Sequence, residues 1–387
     1  MTDDLMRRMA ASRPGHLDPD APVDGPTRSR ELARAMAGAR EASRARRPAR
    51  PLWGLGLVGA AAAALLVVTT TTGPGHARPD PANGSRPTTP GGATGTTLNA
   101  HAILLAAAAG ADRQPATTGA WWHTVSLYRT YLRIAAPTGS YVVALREREE
   151  GWTPSAVRKQ QWSRNQDLGA VPATQADRAA WQRAGSPPRI PARLPAPKGS
   201  RPKRLVVRMT PDAPQTSHQP LVDGDKVFWL GRNVTMKDLR GLPDSPQALK
   251  HWLLRSYDGH GTESDGEKMS SDNWLFEVSA GLITTMPVTP KVRGAAFRML
   301  AGLHTVTAMT DGIDAQGRQG TVVAIDNRTR FGGVLQHRLI IDTAGGRALA
   351  DETVVVTPGA TTDGLPPGST WASTAVLTAG WTDRSPR

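Results

Sequence analysis

The sequence predicts an α+β fold: an antiparallel sheet with several helices in one external domain, preceded by one transmembrane helix. Three observations lead there. Beyond about residue 304 the chain reads as strand-like segments separated by Gly, Asp and Asn turns, which pair as hairpins. Three helices with clear start signals precede that meander. Leu52–Val68 is a run of seventeen residues without a charge.

The first fifty residues hold 11 Arg and no Lys against 7 acidic residues. Two amphipathic stretches lie within them. Leu5, Met6 and Met9 share one. Leu32, Ala35, Met36 and Ala39 share the other at i, i+3, i+4, i+7 spacing, after a possible cap at Thr27. Leu5, Met9, Leu32 and Met36 are therefore candidate anchors for a cytoplasmic partner; the alternative is a basic helix lying on anionic lipid.

Leu52–Val68 extended by Thr69–Thr72 gives twenty-one residues, roughly 31 Å of helix at about 1.5 Å per residue. That matches the hydrocarbon core of a bilayer. Arg44, Arg46, Arg47 and Arg50 sit just before it, whereas only His76 and Arg78 follow closely, so the N-terminus is expected inside the cell and the remainder outside. A cleaved leader ending at Ala77 is the alternative. Residues 73–97 form a Thr/Pro/Gly-rich linker too poor in apolar residues to bury a core.

The external domain is expected over 98–381, with a disordered 382–387 terminus. Its reading runs in order. Leu98–Ala111 is an Ala-rich helix, and residues 120–134 favour strand. Ser140–Glu150 and Ala156–Leu168 are two further strands, joined by a turn at Gly151–Pro154. Gln175–Ala184 is a helix, residues 185–202 are loop and Val227–Leu230 is a strand. Ser245 caps a helix with Pro246 at N1, Asp272 caps a second, and Thr289 caps a third with Pro290 at N1 and Gly302 at its end. Strands follow near 304–311, 320–326, 335–342, 347–356 and 371–380.

The net charge of +14 is shared by both sides of the membrane segment, and no nucleic-acid-binding motif is present, so nucleic acid is not an expected partner. With no cysteine there is no disulfide, no Cys-ligated zinc and no thiol nucleophile. The nine histidines form no H-E-x-x-H pair. The acidic run Asp258–Glu267 fails the EF-hand pattern, with Glu263 where Gly is needed. Glu147, Glu149 and Glu150 read as a solvated strand edge. No catalytic residue, metal site or cofactor is expected, and the chain reads as a non-enzyme. The tryptophans are unusual: 11, against 4 Phe and 4 Tyr. Trp121, Trp122, Trp152 and Trp162 are candidates for lining a groove for an apolar or carbohydrate ligand; the alternative is core packing.

Four marks carry a family resemblance: Trp181–Pro187, Leu242–Leu249, Asp314–Gly320 and Leu339–Leu349. With the basic tail, membrane helix and stalk in that order, the chain resembles a family of actinobacterial single-pass membrane proteins with no established function. Members are often encoded beside alternative sigma factors. The resemblance thus implies a membrane-linked regulator whose cytoplasmic partner is a sigma factor. The element order also resembles the curved half-barrels of periplasmic lipoprotein carriers, which implies a curved sheet. The alternative is an anchored envelope-binding module with no cytoplasmic partner.

Overall fold

A computed structural model describes residues 99–386, apart from residue 198 and residues 264–266. The tail, the expected membrane helix at 52–72 and the linker lie outside the described residues. Among those described, no helix is long and apolar enough to cross a membrane.

The fold is α+β, built on a large antiparallel sheet. Its first helix, α1 (Ala100–Asp112), starts where Asn99 accepts hydrogen bonds from the His101 and Ala102 amides at 3.0 and 3.4 Å. Leu104, Ala107, Ala108 and Ala111 form its buried stripe. Strand β1 (Trp121–Ile134) pairs along its whole length with β2 (Tyr141–Pro154). The expected turn at Gly151–Pro154 is thus strand. The ladder from Trp121↔Pro154 to Ile134↔Tyr141 overrides the local breakers, and Pro154, at the strand's last position, leaves the ladder one donor short only at its end. The reversal comes later, with Arg158 at φ 59°, before β3 (Gln160–Asp167).

Two-residue β4 (Val171–Pro172) leads to α2 (Gln175–Arg183), which Thr174 and Asp177 open with a capping box. The stretch read as loop at 185–202 contains β5 (Arg189–Arg193), which pairs with β6 (Arg204–Arg208) because Ile190 and Val207 have a core to join. Then come β7 (Gln215–Pro220), the hairpin β8 (Lys226–Trp229) and β9 (Arg232–Thr235), and the short α3 (Met236–Arg240).

The three expected helices follow: α4 (Pro246–Leu254), α5 (Ser271–Thr284) and α6 (Pro290–Ala301). Ser245 and Thr289 cap as read. The α5 cap is Ser270 rather than Asp272, which sits in the first turn where its charge favours the helix dipole. Every α5 residue from Asn273 to Thr284 is buried. The last strands are β10 (Thr307–Ile313), β11 (Gln319–Thr329), β12 (Gly333–Asp342), β13 (Arg347–Pro358) and β14 (Thr370–Thr382).

The large sheet has ten strands. Its path runs β10-β11-β12-β13-β14-β1-β2-β3-β7, with β4 on β2, and every pairing is antiparallel. The C-terminal strand β14 closes against β1, so the meander joins the N-terminal hairpin edge to edge. Helices α1, α4, α5 and α6 build the main core with Trp122, Val323, Ile325, Leu339 and Ile341 from one sheet face. That face is called inner below, and its opposite outer.

Candidate functional site: the outer face of the sheet

Side chains alternate along a strand, so Trp121 and Trp122 are committed to opposite faces. Trp122 is 4% exposed, packs edge-on to Trp381 at 5.3 Å and donates its indole N–H to the Thr285 carbonyl at 2.5 Å. It is a core residue and cannot line a ligand groove. Trp121, Trp152 and Trp162 lie on the outer face. Three of the four tryptophans singled out from the sequence are therefore brought together and the fourth is not.

Around them is a stripe that spans four strands in register: His123 on β1, Trp152 on β2, Trp162 on β3 and His218 on β7. The His123 ring stacks on Trp152 at 4.9 Å and 23°, and the Arg164 guanidinium lies 5.7 Å from the Trp152 ring centre. Trp152, 7% exposed beneath these contacts, is a fixed centre and not a contact surface. Trp162 is half-buried and meets exposed His218 at 4.5 Å, so the accessible ring surface is theirs.

The next row towards the sheet's middle is polar. Glu150 accepts from Arg148 Nη1 at 2.8 Å, faces His123 Nε2 at 3.0 Å and has Arg164 Nη1 at 3.9 Å. Burial opposes the Glu150 charge, but the hydrogen bonds and charges of Arg148 and His123 outweigh it and hold the carboxyl below its ordinary pKa. Arg164 Nε also donates to Thr216 Oγ1 at 3.3 Å.

Farther along the same face a second row crosses six strands: Ala324, Arg338, Glu352, Ser373, Arg129 and Arg146, each directly opposite the next. Burial pushes the Glu352 carboxyl up to about 6, with Arg338 pulling the other way. Arg146 donates to the carbonyls of Leu168 and Gly169 at 2.7 and 3.0 Å.

The inner face carries a further set of acids. Asp351, Thr374, Tyr128, Glu147 and Asp167 share one row, and Glu149 lies opposite Ser126. The sequence reading of Glu147 and Glu149 as a solvated edge is corrected here: β2 is interior to the sheet, and Glu149 is 9% exposed. Burial first, and then the Glu147 charge, raise the Glu149 carboxyl to about 7 against the Tyr128 hydrogen bond that lowers it. Asp351 is raised by burial and by Glu277 and Glu352. His337, buried beside Glu277 at 3.7 Å, is lowered to about 4 by desolvation. No group of three or more metal-ligating side chains is present among the described residues.

Leu5, Met9, Leu32, Met36, Arg44, Arg46, Arg47 and Arg50 all lie outside the described residues. Sequence reading missed His123, His218, Glu150 and Arg164. For His123, Glu150 and Arg164 the available signal was their two-residue spacing from Trp121, Trp152 and Trp162 on strands; β7, which carries His218, has no tryptophan, and the partner strands had first to be known. No protein-family model, curated protein or solved structure matches this chain, so the outer face is read on its geometry alone.

Proposed function

We propose that the chain is a membrane-anchored, non-enzymatic binding module, held by residues 52–72 with residues 1–50 inside the cell, whose external sheet takes a saccharide on its outer face. The observation that carries this reading is the stripe His123–Trp152–Trp162–His218 with Glu150 and Arg164 beside it. A sugar ring presents an apolar C–H face to an aromatic side chain and hydroxyls at its rim to charged donors and acceptors; Trp162 and His218 supply the first, Glu150 and Arg164 the second. A tail that also engages a sigma factor is compatible with this reading and is not required by it.

The test is an oligosaccharide array probed with the full chain in detergent, beside Trp162→Ala and His218→Ala. Wild-type retention on hexose oligomers, lost in both variants at unchanged melting temperature, is expected. No retention by the wild type, or equal retention by both variants, refutes the reading. The anchor is tested separately, with a reporter after Arg387 that is active only when exported; a mature N-terminus at Arg78 overturns the anchor.

A further inference from the structure

The second row of the outer face has a charge arrangement that is unfavourable by itself. Arg129 on β1 stands directly opposite Arg146 on β2, and like charges in that position repel; burial first and the Arg129 charge second lower the pKa of Arg146, with Asp167 opposing them. Among the described residues the Arg129 side chain makes no hydrogen bond or salt bridge, although its charge is felt by Glu352 two strands away. On its other side stands Ser373, 2% exposed, whose hydroxyl also has no hydrogen-bond partner among the described residues. A buried hydroxyl without a partner and two facing guanidinium groups, neither with a carboxylate in hydrogen-bond contact, are adjacent on three neighbouring strands. Glu352 lies one strand farther and directly faces Arg338, so one carboxylate serves a row of three arginines. The missing component is an acceptor with negative charge.

We propose that Arg129, Arg146 and Ser373 form an oxyanion site, and that the ligand of the outer face is an extended acidic oligosaccharide. The inference rests on the saccharide reading above and gives its ligand a charge and a length. A guanidinium matches a carboxylate or a phosphate in planar, paired hydrogen bonds, and the serine hydroxyl adds a third donor. His123 and Arg129 are six residues apart on β1, roughly 20 Å at about 3.3 Å per residue. A single sugar does not span that distance, whereas an oligomer does. Arg148, 32% exposed at its side chain, lies between the two rows on β2. The ligand therefore runs along the strands, with rings on Trp162 and His218 at one end and an acidic group on Arg129 at the other.

The experiment uses the full chain in detergent at low salt. Its probes are a neutral glucose oligomer, the glucuronate oligomer of the same length and a phosphorylated glucose oligomer. The two acidic arms distinguish the carboxylate from the phosphate source. The expected result is tighter binding of at least one acidic oligomer than the neutral one, by about tenfold, with the preference falling as salt is added. Arg129→Gln and Ser373→Ala should bring the acidic-to-neutral ratio close to one, while Arg201→Gln, an exposed arginine outside the row, leaves it unchanged. Neither row variant should melt lower than wild type, because one removes a repulsion and the other an unpartnered hydroxyl. An unchanged ratio in Arg129→Gln, or acidic oligomers bound no more tightly than neutral, overturns the proposal while leaving the saccharide reading standing. If no oligomer binds, that reading falls and inorganic phosphate decides the site. Thermal protection by phosphate in wild type and not in Arg129→Gln supports the site; no protection in either overturns it.

Discussion

Replacing Glu149 by Gln should stabilise the protein, and more so in alkali than in acid. Glu149 is 9% exposed on the inner face, and its carboxyl is raised from 4.5 to about 7. The cause is burial first and the Glu147 charge second, set against the Tyr128 hydrogen bond. The folded chain thus holds a proton that the unfolded chain has released. The stability linked to this group is fully present below the unfolded value of 4.5 and is lost as pH rises through about 7. The shift amounts to about 3 kcal/mol at about pH 8 and only about 1 kcal/mol at about pH 5. Glutamine keeps the shape and an oxygen that accepts from Tyr128, but carries no charge. Glu149→Gln should therefore gain about 3 kcal/mol at the higher pH, a rise of roughly 6–9 °C in melting temperature for a domain of this size, and about a third of that at the lower. Thermal melts of the full chain in detergent at both pH values, followed by tryptophan fluorescence, measure it. A gain independent of pH, or a loss at the higher pH, refutes the assignment of Glu149 to a desolvated site beside Glu147.

Three further outcomes are expected. His337→Gln should flatten the acid limb of the stability curve: the wild-type histidine, lowered from 6.5 to about 4, contributes stability above 6.5 that is lost as pH falls towards about 4, and a variant with the same acid limb contradicts this. Trp122→Ala should cost about 3–5 kcal/mol in denaturant unfolding, whereas Trp121→Ala, one residue away on the half-exposed face, should cost about 1 kcal/mol or less. Gly346→Ala should cost at least about 2 kcal/mol by the same measurement, because Gly346 has φ 61° and a Cβ there would lie 2.0 Å from the Ala111 amide nitrogen at the end of α1.

What the sequence made legible follows from the range of the signals. The capping residues Ser245 and Thr289, with Pro246 and Pro290 after them, act within one turn, and those helices start where they were read. The C-terminal strands are bounded by local turns and were also found. The misreadings concern partners far along the chain. Gly151 and Pro154 signal a turn locally, yet β1 supplies a partner for every residue of β2. Ile190 looked like part of a proline-rich loop until β6 gave it a partner in Val207. The candidate site was legible only in part for the same reason. The density of tryptophan marked the strands that carry the aromatic stripe, but whether Trp121 or Trp122 faces the open side is a question of strand phase. The row from Arg338 through Ser373 to Arg129 joins segments that only the completed sheet brings side by side.

The run Arg146-Glu147-Arg148-Glu149-Glu150 shows why the two faces differ. Within a strand its alternation puts Arg146 and Arg148 outward and Glu147 and Glu149 inward, and the neighbouring strands repeat it: Tyr128 inward with Arg129 outward, Asp351 inward with a row shared by Arg338 outward. A carboxyl that loses water can shed its charge by keeping a proton, as the raised values of Glu149 and Asp351 record. A guanidinium has no such recourse at any physiological pH, because its proton does not leave. Helix α5 accordingly lies on the acidic side, where protonation limits the cost of burial. The arginine side requires water or a counter-anion. Glu150 keeps the alternation, two residues beyond Arg148 on the outward side, but breaks the charge pattern, and it is the residue that holds His123 and Arg148 at the edge of the aromatic stripe.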